Sequence, residues 1–103
     1  MTVDVDVDVR IVYFEGCPHV DTARARVVAA IGDRTDVEVR LQRVDDAAGA
    51  IAAGMHGSPT ILVDGVDPFA PIDAEASWSC RVYPPEIGSD GAPSVDQLRR
   101  ALG

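Results

Sequence analysis

Two kinds of apolar pattern predict the strands of this chain. Near the N-terminus, valines alternate with aspartates up to Arg10, which is the period-two pattern of a half-buried strand. The pattern becomes continuous over residues 11–14, as in a strand that is covered on both faces. We therefore predict a central first strand over residues 9–15. A second alternating segment predicts a strand over residues 37–41, and two further strands are predicted over residues 60–63 and 79–83.

The first helix is predicted after this strand. Pro18 suits the first position of a helix, because proline lacks an N–H group that would go unused there. From Val20 to Ile31 the apolar residues recur at helical spacing, and Gly32 suits the C-terminal end.

Two more helices are predicted from their capping residues. Asp45 or Asp46 can cap a short alanine-rich helix. Of its residues we expect three to face inward, namely Ile51, Ala52 and Met55. Ser94 and Gln97 match a capping box, which opens a final helix that continues through Leu102.

The remaining segments, residues 66–77 and 86–93, show no period and are interpreted as loops. The predicted order is therefore β-α-β-α-β-β-α, an α/β fold in a single domain over residues 1–103. A right-handed crossover makes the first two strands parallel.

Composition narrows the classes of partner. The net charge of −8 argues against nucleic acid and anionic membranes as partners, and no apolar run is long enough to span a bilayer. The acidic, alternating N-terminus is unlike a signal peptide, so we expect a cytoplasmic protein. Two cysteines in such a protein usually stay reduced unless they are catalytic or redox-sensing. The oligomeric state is left open.

Two short motifs carry the candidate chemistry. Gly16-Cys17-Pro18-His19 stands where the first strand gives way to a helix, and a position before a helix N-terminus favours the thiolate form of a cysteine. Ser58-Pro59-Thr60 opens the third predicted strand. Together the motifs suggest a site for thiol chemistry.

Both motifs, in this element order, resemble those of the thioredoxin-like family over nearly the whole chain. The resemblance implies a central four-stranded mixed sheet with flanking helices and a cis bond before Pro59. It implies that Cys17 is a reactive thiol that forms a mixed disulfide with a protein or with a low-molecular-weight thiol. The residues expected to contact the substrate are Pro18, His19, Ser58, Pro59 and Thr60. A dithiol member of the family would carry a second cysteine at position 20, where this chain has Val20.

Cys80 has two interpretations. It is either a buried strand residue or the resolving partner of Cys17, which would restore the dithiol that Val20 removes. Trp78, two residues earlier, is likewise either a core residue or a lid over the thiol.

Two other functions stay open. The first is a non-redox binding module for a partner or a thiophilic metal. The second is organomercurial cleavage, since short actinobacterial chains with a similar Gly-Cys-Pro motif and a later Ser-Cys-Arg-x-Tyr are labelled alkylmercury lyase. That reaction needs two thiols and a proton donor, for which Asp64, Asp67 and Asp73 are candidates.

We predict no cofactor and no structural metal. The two cysteines and two histidines have the right number for a Cys2His2 zinc site, but their spacing matches no structural zinc pattern.

Overall fold

The computed structural model describes residues 6–70 and 74–103, and for Cys80 the backbone alone. These residues form a mixed α/β fold with seven short strands and three helices. The strands are β1 Val7–Tyr13, β2 Val37–Arg43, β3 His56–Ser58, β4 Thr60–Val63, β5 Ser77–Cys80, β6 Gly88–Ser89 and β7 Ala92–Pro93. The helices are α1 Val20–Ile31, α2 Ala47–Ala53 and α3 Val95–Leu102.

The central sheet of the described residues has three strands in the order β2-β1-β4. Strand β1 pairs with β2 in parallel, Val7 opposite Val37, which confirms the predicted crossover direction. Strand β4 runs antiparallel to β1, with Val12 opposite Thr60. The start of β4 therefore lies at the end of β1.

Apolar residues cover both faces of this sheet. On one face, Ile11 and Ile61 pack in a cluster with residues of α1 and α3. On the other face, Val12 and Leu62 pack with Ala50 of α2 and with Met55. This two-sided burial explains why the alternating pattern of the first strand becomes continuous near its end.

Local capping signals predicted two helix starts correctly. The Asp46 carboxylate accepts a hydrogen bond from the Gly49 backbone N–H at 2.7 Å. The Ser94 hydroxyl accepts one from the Gln97 backbone N–H at 3.2 Å. No helix in the described parts of the chain has the length and apolar character needed to cross a bilayer.

The predicted bounds of β1, the predicted start of α1 and the predicted buried face of α2 are wrong. Strand β1 begins and ends two residues earlier than predicted, and α1 begins at Val20 with His19 as its N-cap, so Pro18 precedes the helix. In α2, Ala50 faces the sheet, and successive helical residues rotate by about 100° around the axis. Ile51 is therefore 70% exposed and Ala52 is exposed, whereas Met55 is buried as predicted.

The fourth strand, predicted over residues 79–83, is observed as β5 over Ser77–Cys80, and it does not join the central sheet. Strand β5 instead pairs in parallel with β3, the short strand before Pro59. The Ser77 N–H donates to the Met55 carbonyl at 2.8 Å, and the Arg81 N–H donates to the Ser58 carbonyl at 3.0 Å. Segment 55–58 thus offers free backbone acceptors just outside the central sheet, and β5 takes them up.

The predicted loop 86–93 contains a hairpin of β6 and β7. Asp90 and Gly91 form its turn with positive φ angles of 55° and 73°, as a tight two-residue hairpin turn requires. The Arg26 guanidinium of α1 donates to the Ser89 and Ala92 carbonyls, which holds the hairpin against the helix.

Gly57 allows β5 to approach β3. Its φ angle is 103°, a conformation that side chains rarely adopt, and a Cβ there would lie 2.8 Å from Arg81 Cβ. Gly54 also has a positive φ angle, 71°, but a Cβ there would meet nothing within 4 Å.

The two glycines make a matched test of this packing. We expect Gly57→Ala to destabilise the fold by roughly 3 kcal/mol or more, because backbone strain and steric overlap add. Gly54→Ala has the strain alone and should cost about 1–2 kcal/mol. Urea unfolding of both variants measures the difference, and equal losses would contradict the close packing of β5 on Gly57.

Candidate functional site

Cys17 lies in the turn between β1 and α1. The turn passes through Gly16, whose φ angle is 85°, and the Cys17 N–H donates to the Phe14 carbonyl at 3.2 Å. Cys17 is only 7% exposed. The thiol is therefore held in a closed turn three residues before the first residue of α1.

The neighbours of Cys17 in the motif have different surroundings. Pro18 is exposed. His19 is the N-cap residue of α1, but its side chain makes no capping hydrogen bond. Its ring lies against Gly91 of the hairpin, so closely that any side chain at position 91 would overlap it. His19 is thus positioned by the hairpin.

The Ser58-Pro59-Thr60 segment is buried, and its Ser58–Pro59 peptide bond is cis. The Ser58 hydroxyl accepts a hydrogen bond from the Phe14 N–H at 3.4 Å. The Thr60 hydroxyl donates to the Gly57 carbonyl at 2.5 Å. Phe14 therefore joins this segment to the Cys17 turn, and both lie at the end of the sheet where β1 finishes.

Strand β5 brings Cys80 to the same end. The Cys80 backbone is paired with Ser58, one strand spacing away, which is about 4.8 Å. Because Arg81 N–H bonds the Ser58 carbonyl, this acceptor is already used within the chain. Trp78 of the same strand is 46% exposed, so it is not a core residue, and its ring meets the Phe14 ring edge-on at 6.1 Å.

A buried ion pair lies beside this strand. The side chains of Asp67 and Arg81 are 1% and 9% exposed, and both oxygens of the carboxylate bind the guanidinium. Asp67 also contacts His56 Nδ1 at 2.8 Å and accepts from the Phe69 N–H at 2.9 Å. The pair links the segment after β4 to β3 and β5.

An aromatic side chain connects this pair to the cis-proline segment. The Arg81 guanidinium lies 4.3 Å from the centre of the Tyr83 ring, in a cation–π contact. The Tyr83 hydroxyl donates to the Pro59 carbonyl at 2.7 Å. Burial raises the pKa of Tyr83; the nearby Arg81 opposes this shift and Asp67 adds to it.

Sequence analysis missed this network of His56, Asp67, Arg81 and Tyr83. It placed Asp67 in a loop and considered it only as a proton donor. The sequence holds one usable signal, an arginine within the predicted strand 79–83, where a buried charged residue needs a partner. Nothing in the spacing identifies Asp67 as that partner.

The described residues give little structural support for metal binding or for organomercurial cleavage. Among the residues that the structure describes, no group of three or more His, Cys, Asp and Glu is arranged to hold a metal ion. Of the three proposed proton donors, Asp67 is in the ion pair and Asp64 accepts from the Asp8 N–H at 2.9 Å. Asp73 lies outside the described residues.

Comparison of the chain with protein-family models, with curated proteins and with solved structures found no match. Function is therefore inferred from the site itself.

Removal of the buried carboxylate charge tests the ion pair. We expect Asp67→Asn to lower the free energy of unfolding by about 3–5 kcal/mol, because it leaves Arg81 buried without a counter-charge. The matched control is Asp36→Asn, since Asp36 binds Arg34 through two hydrogen bonds at the surface. Urea unfolding should show a clearly smaller loss for the control. Equal losses would show that the burial of Asp67 contributes nothing.

The raised pKa of Tyr83 predicts alkaline behaviour. An ordinary tyrosine ionises near pH 10. Since the folded pKa lies above this value, the stabilising contribution of the neutral phenol is complete below about pH 10 and is lost as the pH rises further. Absorbance at the phenolate band should show a late ionisation phase that coincides with unfolding. Tyr83→Phe should remove this phase and Tyr13→Phe should retain it; the reverse assignment would contradict the burial of Tyr83.

Proposed function

We propose that this chain is a thioredoxin-like thiol-redox protein in which Cys17 and Cys80 act as a dithiol. The observation that carries the proposal is the pairing of β5 with β3. It sets the Cys80 backbone opposite Ser58, whose hydroxyl accepts from Phe14 at the Cys17 turn. The backbones of two cysteines that are 63 positions apart in sequence thus lie toward the same end of the central sheet, one after β1 and the other in the neighbouring β3–β5 pair.

The sheet supports the family part of this proposal. A parallel β1–β2 pair, an antiparallel β4 and a cis bond before β4 agree with the arrangement that the resemblance implies for three of the four strands. The difference is β5. Instead of extending the sheet, it occupies the backbone acceptor of Ser58, which the resemblance assigns to an extended substrate.

The reaction that we propose is thiol–disulfide exchange. The Cys17 thiolate attacks a disulfide R–S–S–R′, which forms Cys17–S–S–R and releases R′–S⁻. The Cys80 thiolate then attacks the Cys17 sulfur, forms the Cys17–Cys80 bond and releases R–S⁻. The substrate gains two electrons, and the dithiol loses two. A low-molecular-weight thiol reduces the protein again and is itself oxidised to its disulfide.

Cys80 is required because the turn offers no second thiol. The position that would carry it, Val20, is the first residue of α1. A disulfide needs Cα atoms roughly 4.4–6.8 Å apart, so the proposal requires the Cys17 turn and Cys80 to approach to this distance during the reaction.

The burial of Cys17 favours a second candidate. At 7% exposure, Cys17 can serve as a small apolar residue, and the Ser58 carbonyl is already bonded. The chain would then be a non-redox module whose cysteines take no part in exchange.

A chromogenic aromatic disulfide, dithiobis-nitrobenzoate, separates the two candidates. The wild-type protein should release two equivalents of coloured thiolate and end, by mass, as an intramolecular disulfide without an adduct. Cys80→Ser should release one equivalent and keep the aromatic adduct on Cys17. The fluorescence of Trp78, the single tryptophan, should change during the reaction, because its ring contacts Phe14 next to the Cys17 turn.

Cys17→Ser is the matched control, and it should form an adduct on Cys80 more slowly than Cys80→Ser forms one on Cys17. A wild-type product that carries separate adducts on both cysteines would contradict the dithiol. Reaction of the wild-type protein only after unfolding in urea would favour the non-redox module.

A further inference from the structure

A cavity of about 400 Å³ lies on the ion-pair side of β5, and Phe69 and Ala70 are among its lining residues. Its volume falls within the range of small-molecule sites. The lining residues differ from those of the thiol site: neither Cys17 nor Pro59 is among them. Its two walls also differ from each other in chemistry.

One wall carries hydrogen-bond donors. Arg81 and His56 line the cavity, together with the hydroxyls of Ser77 and Ser79, which bond each other at 2.6 Å. One carboxylate, that of the exposed Glu75, also belongs to the lining. A guanidinium has five N–H groups, and Arg81 uses its two terminal nitrogens on Asp67. N–H groups therefore remain for a ligand.

The carboxylate that balances Arg81 lies behind this wall. Asp67 is 1% exposed in its side chain and is not among the lining residues. Its oxygens already accept from Arg81 and Phe69 and contact His56. The ion pair thus presents its cationic member to the cavity and fixes the guanidinium there without loss of side-chain freedom on binding.

The other wall is apolar and adjoins the first, because the Arg81 guanidinium lies 4.3 Å from the centre of the Tyr83 ring. Phe69 and Tyr83 line it with rings that meet edge-on, their centres 6.1 Å apart, and Pro84 extends it. Such a surface suits a flat, apolar body.

We propose that this cavity binds a small carboxylic acid with an aromatic body. The carboxylate accepts hydrogen bonds from Arg81 and from whichever of the Ser77 and Ser79 hydroxyls does not donate to the other, and the ring packs against Phe69 and Tyr83. Both terminal nitrogens of Arg81 already bind Asp67, so the ligand uses the remaining N–H groups, whose hydrogen bonds are strengthened by the charge of the guanidinium. The site needs neither cysteine, so it stands independently of the proposed redox function.

Three probe molecules distinguish the contributions that the two walls make to binding. Amide spectra of the ¹⁵N-labelled protein are recorded in titrations with benzoate, which has both groups, with acetate, which has only the charge, and with benzyl alcohol, which has only the ring. We expect saturable benzoate binding at least tenfold tighter than binding of either other probe. The shift changes should centre on Ser79, Arg81 and Tyr83.

Variants localise the binding. Arg81→Gln combined with Asp67→Asn removes the pair without leaving a buried charge, and it should weaken benzoate at least tenfold. Ser79→Leu fills the cavity without touching the pair and should have the same effect. Arg24→Gln removes the same charge from an exposed position on α1 and should change nothing.

Several results would overturn the site. These are no saturable benzoate shift, equal affinity for benzoate and benzyl alcohol, or shift changes confined to other surfaces. Retained benzoate affinity in Ser79→Leu would do so as well, even if the double variant fails to fold.

Discussion

The structure around the candidate site depends on the pairing of β5 with β3. Two backbone hydrogen bonds, from Ser77 to Met55 and from Arg81 to Ser58, hold a strand that contributes nothing to the central sheet. Their consequence is large, because β5 carries Trp78 and Cys80 and is followed directly by Arg81. The pairing places the Trp78 ring beside Phe14 and the Cys80 backbone opposite Ser58. It also places Arg81 against Asp67. A one-residue slip would exchange the side chains between the two faces of β5.

The buried ion pair gives this register a chemical reason. Taking a carboxylate and a guanidinium out of water costs several kcal/mol each, so the pair is tolerated only when its hydrogen bonds are complete. Asp67 meets this condition through Arg81, His56 and the Phe69 N–H. A different register would bury Arg81 without its partner. The pair therefore acts more through the specificity of one strand position than through net stability.

Much of the central fold could be predicted from the sequence because its signals are local. Strand β4 was predicted at its observed residues, and the capping side chains of Asp46 and Ser94 marked two helix starts. The partner of β5 could not be predicted, because a short polar strand contains no signal for which edge it joins. The prediction of the buried face of α2 was wrong for a related reason. In a seven-residue helix, a few contacts with the sheet decide which residue is buried, and Ala50 makes these contacts whereas Ile51 does not.

The most direct test of this account measures the hydrogen bonds of β5 in solution. Scalar couplings across hydrogen bonds, recorded by NMR, connect a donor nitrogen with the acceptor carbonyl carbon. The account predicts couplings from Arg81 N to the Ser58 carbonyl carbon and from Ser77 N to the Met55 carbonyl carbon. Couplings from these donors to β4 instead, as in a four-stranded central sheet, would contradict it. They would remove both the common end for the two cysteines and the polar wall of the cavity.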